Sequence, residues 1–318
     1  MAERLRVAAI LSGRGSNMAA LLYASRLRDC PYELCLVASN KPEAAGLSLA
    51  KAEGIETWAL SHKGIAKADF EAALTATLEA AETDYVALCG FMRVLSPEFV
   101  ERWSGRIVNI HPSLLPKYKG LDTHARAIDA GDPVAGCSVH LVTPELDDGP
   151  VLGQIEVAIL PSDTPDTLAA RVLHAEHQLY PAALSAYVAR HLDADWLLEQ
   201  VRDLALELPE AEEAPSHGSP AFKTKKGKFF AHFSDRHHGE ERIALLVKTS
   251  GEDEMSALIG AEPDLYHRPA YYGASGWIGL RLDRKDTDWD HVASWLQSSW
   301  RRTASKSLTK LLDAADEF

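Results

Sequence analysis

The chain has 318 residues, of which 46% are hydrophobic and 25% charged, a composition typical of a soluble globular protein with one large or two ordinary domains. Its formal net charge of −13 argues against nonspecific nucleic-acid binding, because neutralising phosphates needs an excess of lysine and arginine. Its apolar runs are too short for a membrane span or a signal peptide. The four cysteines show neither metal-ligand spacing nor a disulfide framework. These features predict a cytoplasmic protein.

Residues 6 to 190 alternate short apolar runs with amphipathic stretches. The apolar runs are, in chain order, "RVAAIL", "ELCLVASN", "ETWALS", "DYVALCG" and "RIVNIH", and a helical pattern follows each of the first four. This alternation is typical of crossover connections and predicts a mostly parallel α/β sheet covered by helices. Two later runs, "CSVHLVT" and "VLGQIEVAI", have no helix between them and predict a hairpin at the sheet edge. A long helix over about 165–189 is expected to end this half.

The composition changes between about residues 190 and 220. The acidic run "ELPEAEEAPSHGSP" is rich in Pro, Gly and Ser and predicts a loop, or a helix end followed by a turn. Three strand-like runs and a final helical pattern follow, which indicates a small α+β domain. We therefore predict a first domain over residues 1–190, a linker over 191–202 and a second, smaller domain over 203–318.

The stretch "ILSGRGSNMAALL" carries a strand into a tight loop that contains Gly13 and Gly15, with a helix starting near Ser16 or Asn17. Glycines let a backbone approach a ligand, and a helix N-terminus offers free N–H groups, so the loop favours a phosphate. An ordinary βα turn with a capped helix would read the same way. The third glycine of the dinucleotide-binding pattern is missing.

The stretch "RIVNIHPSLLPKYKG" places Asn109 and His111 at the end of an apolar run. The two side chains share one face if the strand continues through them, because strand side chains alternate. An amide and an imidazole on one face can polarise a carbonyl and stabilise the oxyanion formed when it is attacked. The alternative is that both residues only hold an irregular chain ahead of Pro112.

The stretch "CSVHLVTPELDDGPVLGQ" contains a turn with Asp147, Asp148 and Gly149. Acidic residues beside Gly-Pro usually serve the turn itself by capping backbone amides, and the residues alone favour that reading. The functional alternative places Asp147 beside His111, where it would transfer a proton or favour the imidazolium form.

Taken in order, "SGRGSN", "GFMRVLSP", "NIHPSLLPKYKGLDTH" and "LDDGP" resemble the glycinamide ribonucleotide formyltransferases over about residues 5–190. The "NIHPSLLP" and "LDxGP" elements are shared by the wider formyltransferase group, whereas the "GSN" loop and the "KYxGLxTH" pattern point to this branch. The resemblance implies a Rossmann-like fold, 10-formyltetrahydrofolate as co-substrate, an amine acceptor in purine synthesis and no metal. The partners it implies are small molecules, with no membrane and no nucleic acid.

The resemblance also implies roles for individual residues. Asn109 and His111 would stabilise the oxyanion, and Asp147 would assist proton transfer. The substrate's phosphate and ribose would be bound by Gly13, Gly15, Ser16, Asn17 and Glu176. The folate would be bound by Lys67, Met92, Arg93, Val94 and Leu95, with the 143–147 loop over the pterin. Ser138 and His140 would support the catalytic trio.

Four residues depart from the commoner pattern of these enzymes, and one of them, Asp148, stands where glycine is frequent but at a position that varies. Arg14 lies inside the glycine loop, where it would add charge to a phosphate site. Lys119 and Asp122 replace the Pro and His that many relatives carry. These differences bear on substrate affinity and loop shape, and they remove no catalytic group.

Residues 203–318 resemble the YjbR/MmcQ-like family, a compact α+β fold whose role is poorly defined. This segment has 15 lysines and arginines against 20 aspartates and glutamates, and its net charge of −5 opposes broad phosphate binding. The basic run "KTKKGK" and the histidines of "DRHHGEE" are expected in exposed turns. Four tryptophans are expected in the core: Trp277, Trp289, Trp295 and Trp300.

Two alternatives to this interpretation remain. The first is a related folate-dependent formyltransferase that acts on another amine. The second is a fusion in which the C-terminal domain gives a nucleic-acid-binding or regulatory role. The sequence predicts no particular oligomeric state.

Overall fold

The computed structural model describes residues 4–225, 227–237, 240–270 and 272–315. The chain divides into two compact units, Met1–Val188 and Ala189–Phe318, and each has its own sheet and hydrophobic core. Within the described residues, no helix has the length and apolar character that crossing a membrane requires.

The first unit is a seven-stranded sheet with helices on both faces. Its strands are β1 (Leu5–Leu11), β2 (Tyr32–Ser39), β3 (Glu56–Ala59), β4 (Tyr85–Leu88), β5 (Ile107–His111), β6 (Val134–Leu141) and β7 (Val151–Ala158). Its helices are α1 (Ser16–Ser25), α2 (Ala45–Ala52), α3 (Lys67–Ala80), α4 (Pro97–Arg102), α5 (Thr123–Asp129) and α6 (Pro165–Val188).

The strand order is β3-β2-β1-β4-β5-β6-β7. Strands β1 to β5 are parallel, and β6 and β7 run antiparallel at the edge. The predicted Rossmann-like, mostly parallel sheet with an edge hairpin is therefore confirmed.

The parallel strands are apolar on both faces because both faces are covered. On β1, the side chains of Val7, Ala9 and Leu11 pack with α1 and α6, whereas Ala8 and Ile10 pack with α3. This two-sided burial explains why the sequence shows continuous apolar runs rather than alternation.

Helix α6 is anchored to the sheet by a buried tyrosine. The hydroxyl of Tyr180 lies 2.8 Å from the carbonyl oxygen of Val108 and 3.2 Å from that of Leu88. Burial raises the pKa of this hydroxyl well above its usual value, so it remains a donor. The anchor fixes the position of Glu176, which lies one helical turn before Tyr180.

The second unit is a six-stranded antiparallel sheet in the order β12-β13-β11-β10-β9-β8, with helices packed against it. Its strands are β8 (Ala211–Ser216), β9 (Ser219–Thr224), β10 (Phe229–Asp235), β11 (Ile243–Lys248), β12 (Tyr266–His267) and β13 (Trp277–Arg281). Its helices are α7 (Ala194–Leu206), α8 (Glu252–Ala261), α9 (Trp289–Thr303) and α10 (Lys306–Ala315).

The predicted linker over residues 191–202 is wrong. Most of this segment belongs to α7, whose side chains Leu197, Leu198 and Val201 are buried in the core of the second unit. Asp193 caps the helix by accepting a hydrogen bond from the Trp196 amide at 3.0 Å. The division between the units falls between Val188 and Ala189, two residues before the predicted end of the first domain.

Two further elements of the second unit differ from expectation. The acidic run predicted as a loop forms the hairpin β8–β9, where Glu212 pairs with Lys223 across the strands at 3.1 Å. The charges and Pro215 on β8 are tolerated because β8 is an edge strand. The final helical pattern is two helices, since the chain is extended at Ala304 before α10 begins.

The expected core tryptophans and basic turn can be located. Trp277, Trp295 and Trp300 are buried, and Trp289 packs against the core half-buried. Lys225 and Lys228 are exposed between β9 and β10. Lys226 and His238, which belong to the runs predicted as exposed turns, lie outside the described residues.

His232, on β10, is a buried ionisable residue of the second sheet. Its ring lies among the rings of Phe229, Tyr272 and Trp277, with centroids 4.8 to 5.2 Å away, and its Nδ1 has no partner in the described residues. Burial, with a smaller contribution from His217, lowers the pKa of His232 to about 4.

We predict that acid destabilises the second unit through His232. Between pH 6.5 and 4 the unfolded chain takes up a proton that the folded ring does not bind, so stability falls as the pH falls through this window, by about 3 kcal/mol. Urea unfolding at pH 7 and pH 4.5 measures the change. His232→Phe, which keeps an aromatic ring but cannot titrate, is expected to lose less stability over the same interval; an equal loss would contradict the assignment.

Candidate active site

The last residue of β5, His111, is held by the loop that follows the strand. Its Nε2 lies 3.0 Å from the carbonyl oxygen of Tyr118, and Tyr118 adopts a positive φ of 56°. The Ser113 hydroxyl donates to the Lys117 carbonyl at 2.6 Å and closes the same loop. Because a carbonyl only accepts, the ring must carry its proton at Nε2.

The other nitrogen of His111 faces Asp147. Nδ1 lies 3.4 Å from Asp147 Oδ2, and the two side chains are only 7% and 10% exposed. The same carboxylate oxygen accepts a hydrogen bond from the backbone N–H of Gly120 at 2.9 Å. The structure therefore brings Asp147 to His111, as the functional alternative required, and the carboxylate does not merely cap its own turn.

The turn that carries Asp147 folds back over the sheet. Asp147 has a positive φ of 49°, and a Cβ added at Gly149 would lie 1.9 Å from the carbonyl oxygen of Leu141. Only glycine permits this approach, because the obstacle is backbone. The glycine that the sequence showed after the acidic pair is thus a requirement of the turn that presents Asp147.

Asn109 is oriented by its neighbour on β6. The register pairs Asn109 with His140 and His111 with Ser138, so the four side chains share one face of the sheet. Asn109 Nδ2 lies 3.1 Å from His140 Nε2. His140 Nδ1 lies 2.8 Å from the Leu141 carbonyl and must donate to it.

The protonation of His140 follows from these contacts. Burial lowers its pKa, opposed by its hydrogen bond to the Leu141 backbone and by Asp147. A neutral ring with its proton at Nδ1 accepts from the Asn109 amide at Nε2, whereas a charged ring would place two donors face to face. The 3.7 Å separation of His140 Nε2 from Asp147 Oδ1 is too long for a hydrogen bond and agrees with the neutral ring.

Ser138, on β6, holds the loop after β5 in place by hydrogen bonds. Its hydroxyl donates to the Ser113 carbonyl at 2.6 Å and accepts from the Leu115 amide at 3.0 Å and from Gln154 Nε2 at 2.8 Å. Ser138 is fully buried. It acts on His111 through the loop rather than by direct contact.

The glycine loop leads from β1 into α1. Gly15 has a φ of 76°, and a Cβ there would lie 2.9 Å from the Cα of Gly46. The N-terminus of α1 has no side-chain cap. Backbone N–H groups at this end remain available to an anion, as the sequence predicted for a phosphate loop.

Asn17 and Glu176 meet beside this loop although they are 159 residues apart. Asn17 Nδ2 donates to Glu176 Oε2 at 2.7 Å, and both residues are buried. Asn17 Oδ1 is buried without a partner in the described residues. Burial raises the pKa of Glu176, and the bond from Asn17 opposes that rise. An unpaired acceptor and a carboxylate here suit hydroxyl or N–H groups of a ligand.

The folate segment predicted from the sequence follows β4. Met92 is 66% exposed and Val94 61% exposed, whereas Leu95 is buried. Arg93 stacks its guanidinium 5.1 Å from the Phe70 ring and leaves Nη1 buried without a partner in the described residues. Lys67 is linked to the end of this segment indirectly: its Nζ lies 4.0 Å from Glu71 Oε1. That oxygen accepts from the Ser96 amide at 3.0 Å.

The glycine loop, the segment after β4 and the loop after β5 each follow the carboxyl end of a parallel strand. Only β4 separates β1 from β5, so the ends of β1 and β5 are about 10 Å apart. Ser12, at the end of β1, accepts from the Met92 amide at 2.9 Å and donates to Asn40 Oδ1 at 2.7 Å. Such a crevice at the strand ends is where open α/β sheets bind ligands.

Sequence reasoning missed several residues that hold this site. They are Ser12, Asn40, Gly46, Gln154 and the backbone of Gly120. Ser12 and Asn40 could have been found, because each is the first polar residue after a buried parallel strand. Gly46, Gln154 and Gly120 carry no local signal, since their partners are distant in the chain.

The described residues hold no group of three or more His, Cys, Asp or Glu side chains arranged for a metal ion. The arrangement offers an amide and an imidazole on one strand face, a carboxylate that reaches them from a turn, and a nearby glycine loop at a helix N-terminus. These groups can donate hydrogen bonds to a carbonyl oxygen and exchange a proton with an attacking nucleophile. Fold and site thus define an α/β group-transfer enzyme.

The chain belongs to the formyl transferase family, whose model matches residues 5–184. Residues 206–302 match the YjbR family. The resemblances inferred from the sequence motifs are confirmed for both halves. The YjbR match lies within the second unit and extends from the last residue of α7 into α9.

Curated relatives match more than half of the chain. The phosphoribosylglycinamide formyltransferase of Escherichia coli K12 is 40% identical over 198 residues, covering 61% of this chain and 93% of that protein. The trifunctional purine biosynthetic protein adenosine-3 of Drosophila melanogaster is 46% identical over 189 residues, and the human one is 42% identical over 183. The chain spans only 14% and 18% of the length of these two proteins.

Solved structures match a similar share of the chain. The crystal structure of phosphoribosylglycinamide formyltransferase from Brucella melitensis is 49% identical, with a TM-score of 0.56, and covers 58% of this chain and 96% of that one. Glycinamide ribonucleotide transformylase 1 from Symbiobacterium toebii is 35% identical, with a TM-score of 0.57, and covers 59% and 89%.

We predict that Ser138→Ala destabilises the first unit by about 1–3 kcal/mol. The substitution leaves the Leu115 amide and the Ser113 carbonyl buried without a partner, and each unpaired group costs its desolvation energy. Urea unfolding measures the loss. Ser25→Ala, which removes a single hydrogen bond from an equally buried serine to the Leu22 carbonyl, is the matched control and is expected to cost less. Equal losses would contradict the claim that Ser138 stabilises the unit through several buried hydrogen bonds.

Proposed function

We propose that the first unit transfers the formyl group of 10-formyltetrahydrofolate to the amine of 5′-phosphoribosylglycinamide (GAR), giving formyl-GAR for purine synthesis in the cytoplasm. The observation that carries the proposal is the approach of His111 Nδ1 to Asp147 Oδ2 at 3.4 Å, on the strand face that also carries Asn109. The named relatives support the choice of acceptor and donor.

His111 can stabilise the reacting oxygen only from Nδ1. Its Nε2 proton is committed to the Tyr118 carbonyl, so a donor at Nδ1 requires the doubly protonated ring. Asp147, 3.4 Å away, is placed to balance that positive charge. The separation exceeds the usual hydrogen-bond length, which leaves the Nδ1 proton available to the formyl oxygen as the oxygen gains negative charge.

Asn109 supplies the second donor. One N–H of its amide points to His140 Nε2, and the other is free to reach the same formyl oxygen. The neutral His140 therefore orients Asn109 without competing for the substrate. Two donors held in place before the reaction cost no reorganisation during it.

Asp147 also handles the proton of the attacking amine. Oδ2 is occupied by the Gly120 amide and faces His111, whereas Oδ1 accepts no hydrogen bond within the described residues. A carboxylate oxygen in this state can receive the proton released when the amine nitrogen bonds to the formyl carbon. The bond between the formyl carbon and N10 of the folate then breaks, and the proton passes to N10, so that tetrahydrofolate leaves.

The acceptor's phosphate and ribose fit the loop and α6. The uncapped N-terminus of α1 provides N–H groups for the phosphate, and Gly13 offers open space, since a Cβ there would meet nothing within 4 Å. Arg14 adds a positive charge in the same loop. Glu176 and the unpaired Oδ1 of Asn17 would accept from ribose hydroxyls or amide groups.

We assign the co-substrate to exposed apolar side chains in the loops that follow β4, β5 and β6, together with the half-buried cation of Arg93. The apolar side chains are Met92, Val94, Leu121 and Leu146. Burying such surface against a pterin is favourable, and the unpaired Nη1 of Arg93 can donate to it. When bound, the folate supplies the formyl group, and Asn109, His111 and Asp147 do the remaining chemistry.

The decisive experiment is a spectrophotometric assay with a 10-formyl folate analogue and GAR, with an unrelated amine nucleotide as the alternative acceptor. Formyl transfer to GAR alone is the expected result. Transfer to the other amine in preference to GAR would favour the related formyltransferase and overturn the choice of acceptor.

We predict that His111→Ala and Asp147→Asn each lower kcat by about 10²–10⁴, because each removes a transition-state donor or the proton acceptor. The same assay measures the rates, and circular dichroism checks the fold. Near-normal turnover in either folded variant would refute the mechanism.

We also predict that residues 1–188 alone catalyse the transfer at the full chain's rate. The proposed catalytic and binding residues all lie in the first unit, and a stop after Val188 leaves α6 whole. Kinetic comparison of the two proteins measures the ratio. A folded but inactive fragment would show that the second unit takes part in catalysis.

A further inference from the structure

We propose that Lys119 and Asp148 form an interloop clasp that positions Asp147 over His111. The proposal rests on the formyl transfer proposed above and assigns two positioning residues to it. The clasp is the ion pair between Lys119 Nζ and Asp148 Oδ1. It joins the loop after β5 to the turn between β6 and β7.

The clasp lies between the two contacts that assemble the site. The residue before Lys119, Tyr118, holds His111 Nε2 by its carbonyl, and the residue after it, Gly120, holds Asp147 Oδ2 by its amide. On the other side, Asp148 directly follows Asp147. The side chains of Lys119 and Asp148 therefore close a ring whose opposite side is the Gly120–Asp147 hydrogen bond.

The loop side of the clasp is held firmly at its base. Arg126, on α5, donates from Nη1 to the Lys119 carbonyl at 2.7 Å and to the Leu121 carbonyl at 3.3 Å. Its guanidinium also lies 5.1 Å from the centre of the Tyr118 ring. The backbone of Lys119 is thus fixed to helix α5. Because Lys119 cannot move freely, its ion pair restrains the position of Asp148 and of the turn that carries it.

Without the clasp, the turn is held at its two ends: the Val142 amide donates to the Ile107 carbonyl at 2.9 Å where the turn leaves β6, and a close backbone approach holds it at β7. The close approach of Gly149 to the Leu141 carbonyl fixes the turn where it enters β7. Within the described residues, the Asp147 carboxylate accepts one hydrogen bond, from Gly120. A single neutral N–H donor contributes about 1 kcal/mol, so a second contact one residue away has a measurable effect on how often Asp147 is in place.

The size of the effect follows from exposure. The side chains of Lys119 and Asp148 are 36% and 54% exposed, and exposed ion pairs usually contribute a factor of about two to five, which salt screens. The clasp therefore modulates turnover rather than permitting it. Its signature is a small change in kcat that disappears at high ionic strength.

The kinetic test uses the full chain with saturating 10-formyl folate analogue and GAR. We expect Lys119→Ala and Asp148→Ala each to lower kcat about two- to fivefold with an unchanged KM for GAR, and the double variant to fall no further than either single one. Added NaCl is expected to lower the wild-type kcat towards that of the variants.

The matched control is Arg102→Ala, which breaks a comparably exposed ion pair with Glu79, 56% and 50% exposed, away from the site. Its kcat is expected to equal that of the wild type at every salt concentration. An active wild type with unchanged kcat in Lys119→Ala overturns the clasp, whereas an inactive wild type overturns the proposed function.

A second measurement separates the clasp from the reaction. Hydrogen–deuterium exchange of the substrate-free full chain reports the Gly120 amide, the donor to Asp147. We expect this amide to exchange about two- to fivefold faster in Lys119→Ala and Asp148→Ala than in the wild type or Arg102→Ala. Unchanged exchange at Gly120 in both variants overturns the clasp whatever the assay shows.

Discussion

The site depends on one loop whose backbone atoms hold the two proposed catalytic groups, His111 and Asp147. In the loop between β5 and α5, the Tyr118 carbonyl accepts a hydrogen bond from one nitrogen of His111, and the Gly120 amide donates a hydrogen bond to one oxygen of Asp147. The first contact commits the Nε2 proton and leaves Nδ1 for chemistry. The second brings a carboxylate from another turn to that nitrogen. Side-chain chemistry is therefore set by main-chain geometry.

The rest of the first unit keeps that loop and its neighbours in register. Hydrogen bonds do this at three places. Ser138, on β6, bonds to the loop after β5, and Ser12 connects the end of β1 to the segment after β4. Tyr180 holds α6 against the sheet. These polar contacts lie among buried apolar side chains, where leaving a polar group unpaired is costly. Each hydrogen bond therefore favours a single arrangement of its two partners. The same fold thus supplies rigidity at the strand ends and open space in the loops between them.

The sequence was most informative where the physics is local. Two-sided burial gave continuous apolar runs, so the parallel sheet, the edge hairpin and α6 could be predicted. Asn109, His111 and Asp147 were visible as polar residues at strand ends and in a turn, but only the fold shows that Asp147 faces His111 rather than its own turn. Helix α7 was missed because a neighbouring acidic, Pro-rich segment hid its amphipathic pattern. The contacts of Gly120 and Gln154 join distant segments, and no local pattern encodes them.

The pairing of Asn17 with Glu176 has a consequence for the newborn chain. The hydrogen bond between Asn17 on α1 and Glu176 on α6 cannot form until α6 has been synthesised, because the two residues are separated by 159 positions. At ribosomal speeds of about 5–20 residues per second, the remainder of the second unit then takes on the order of ten seconds to appear. The first unit can therefore complete its fold while the second is still being made.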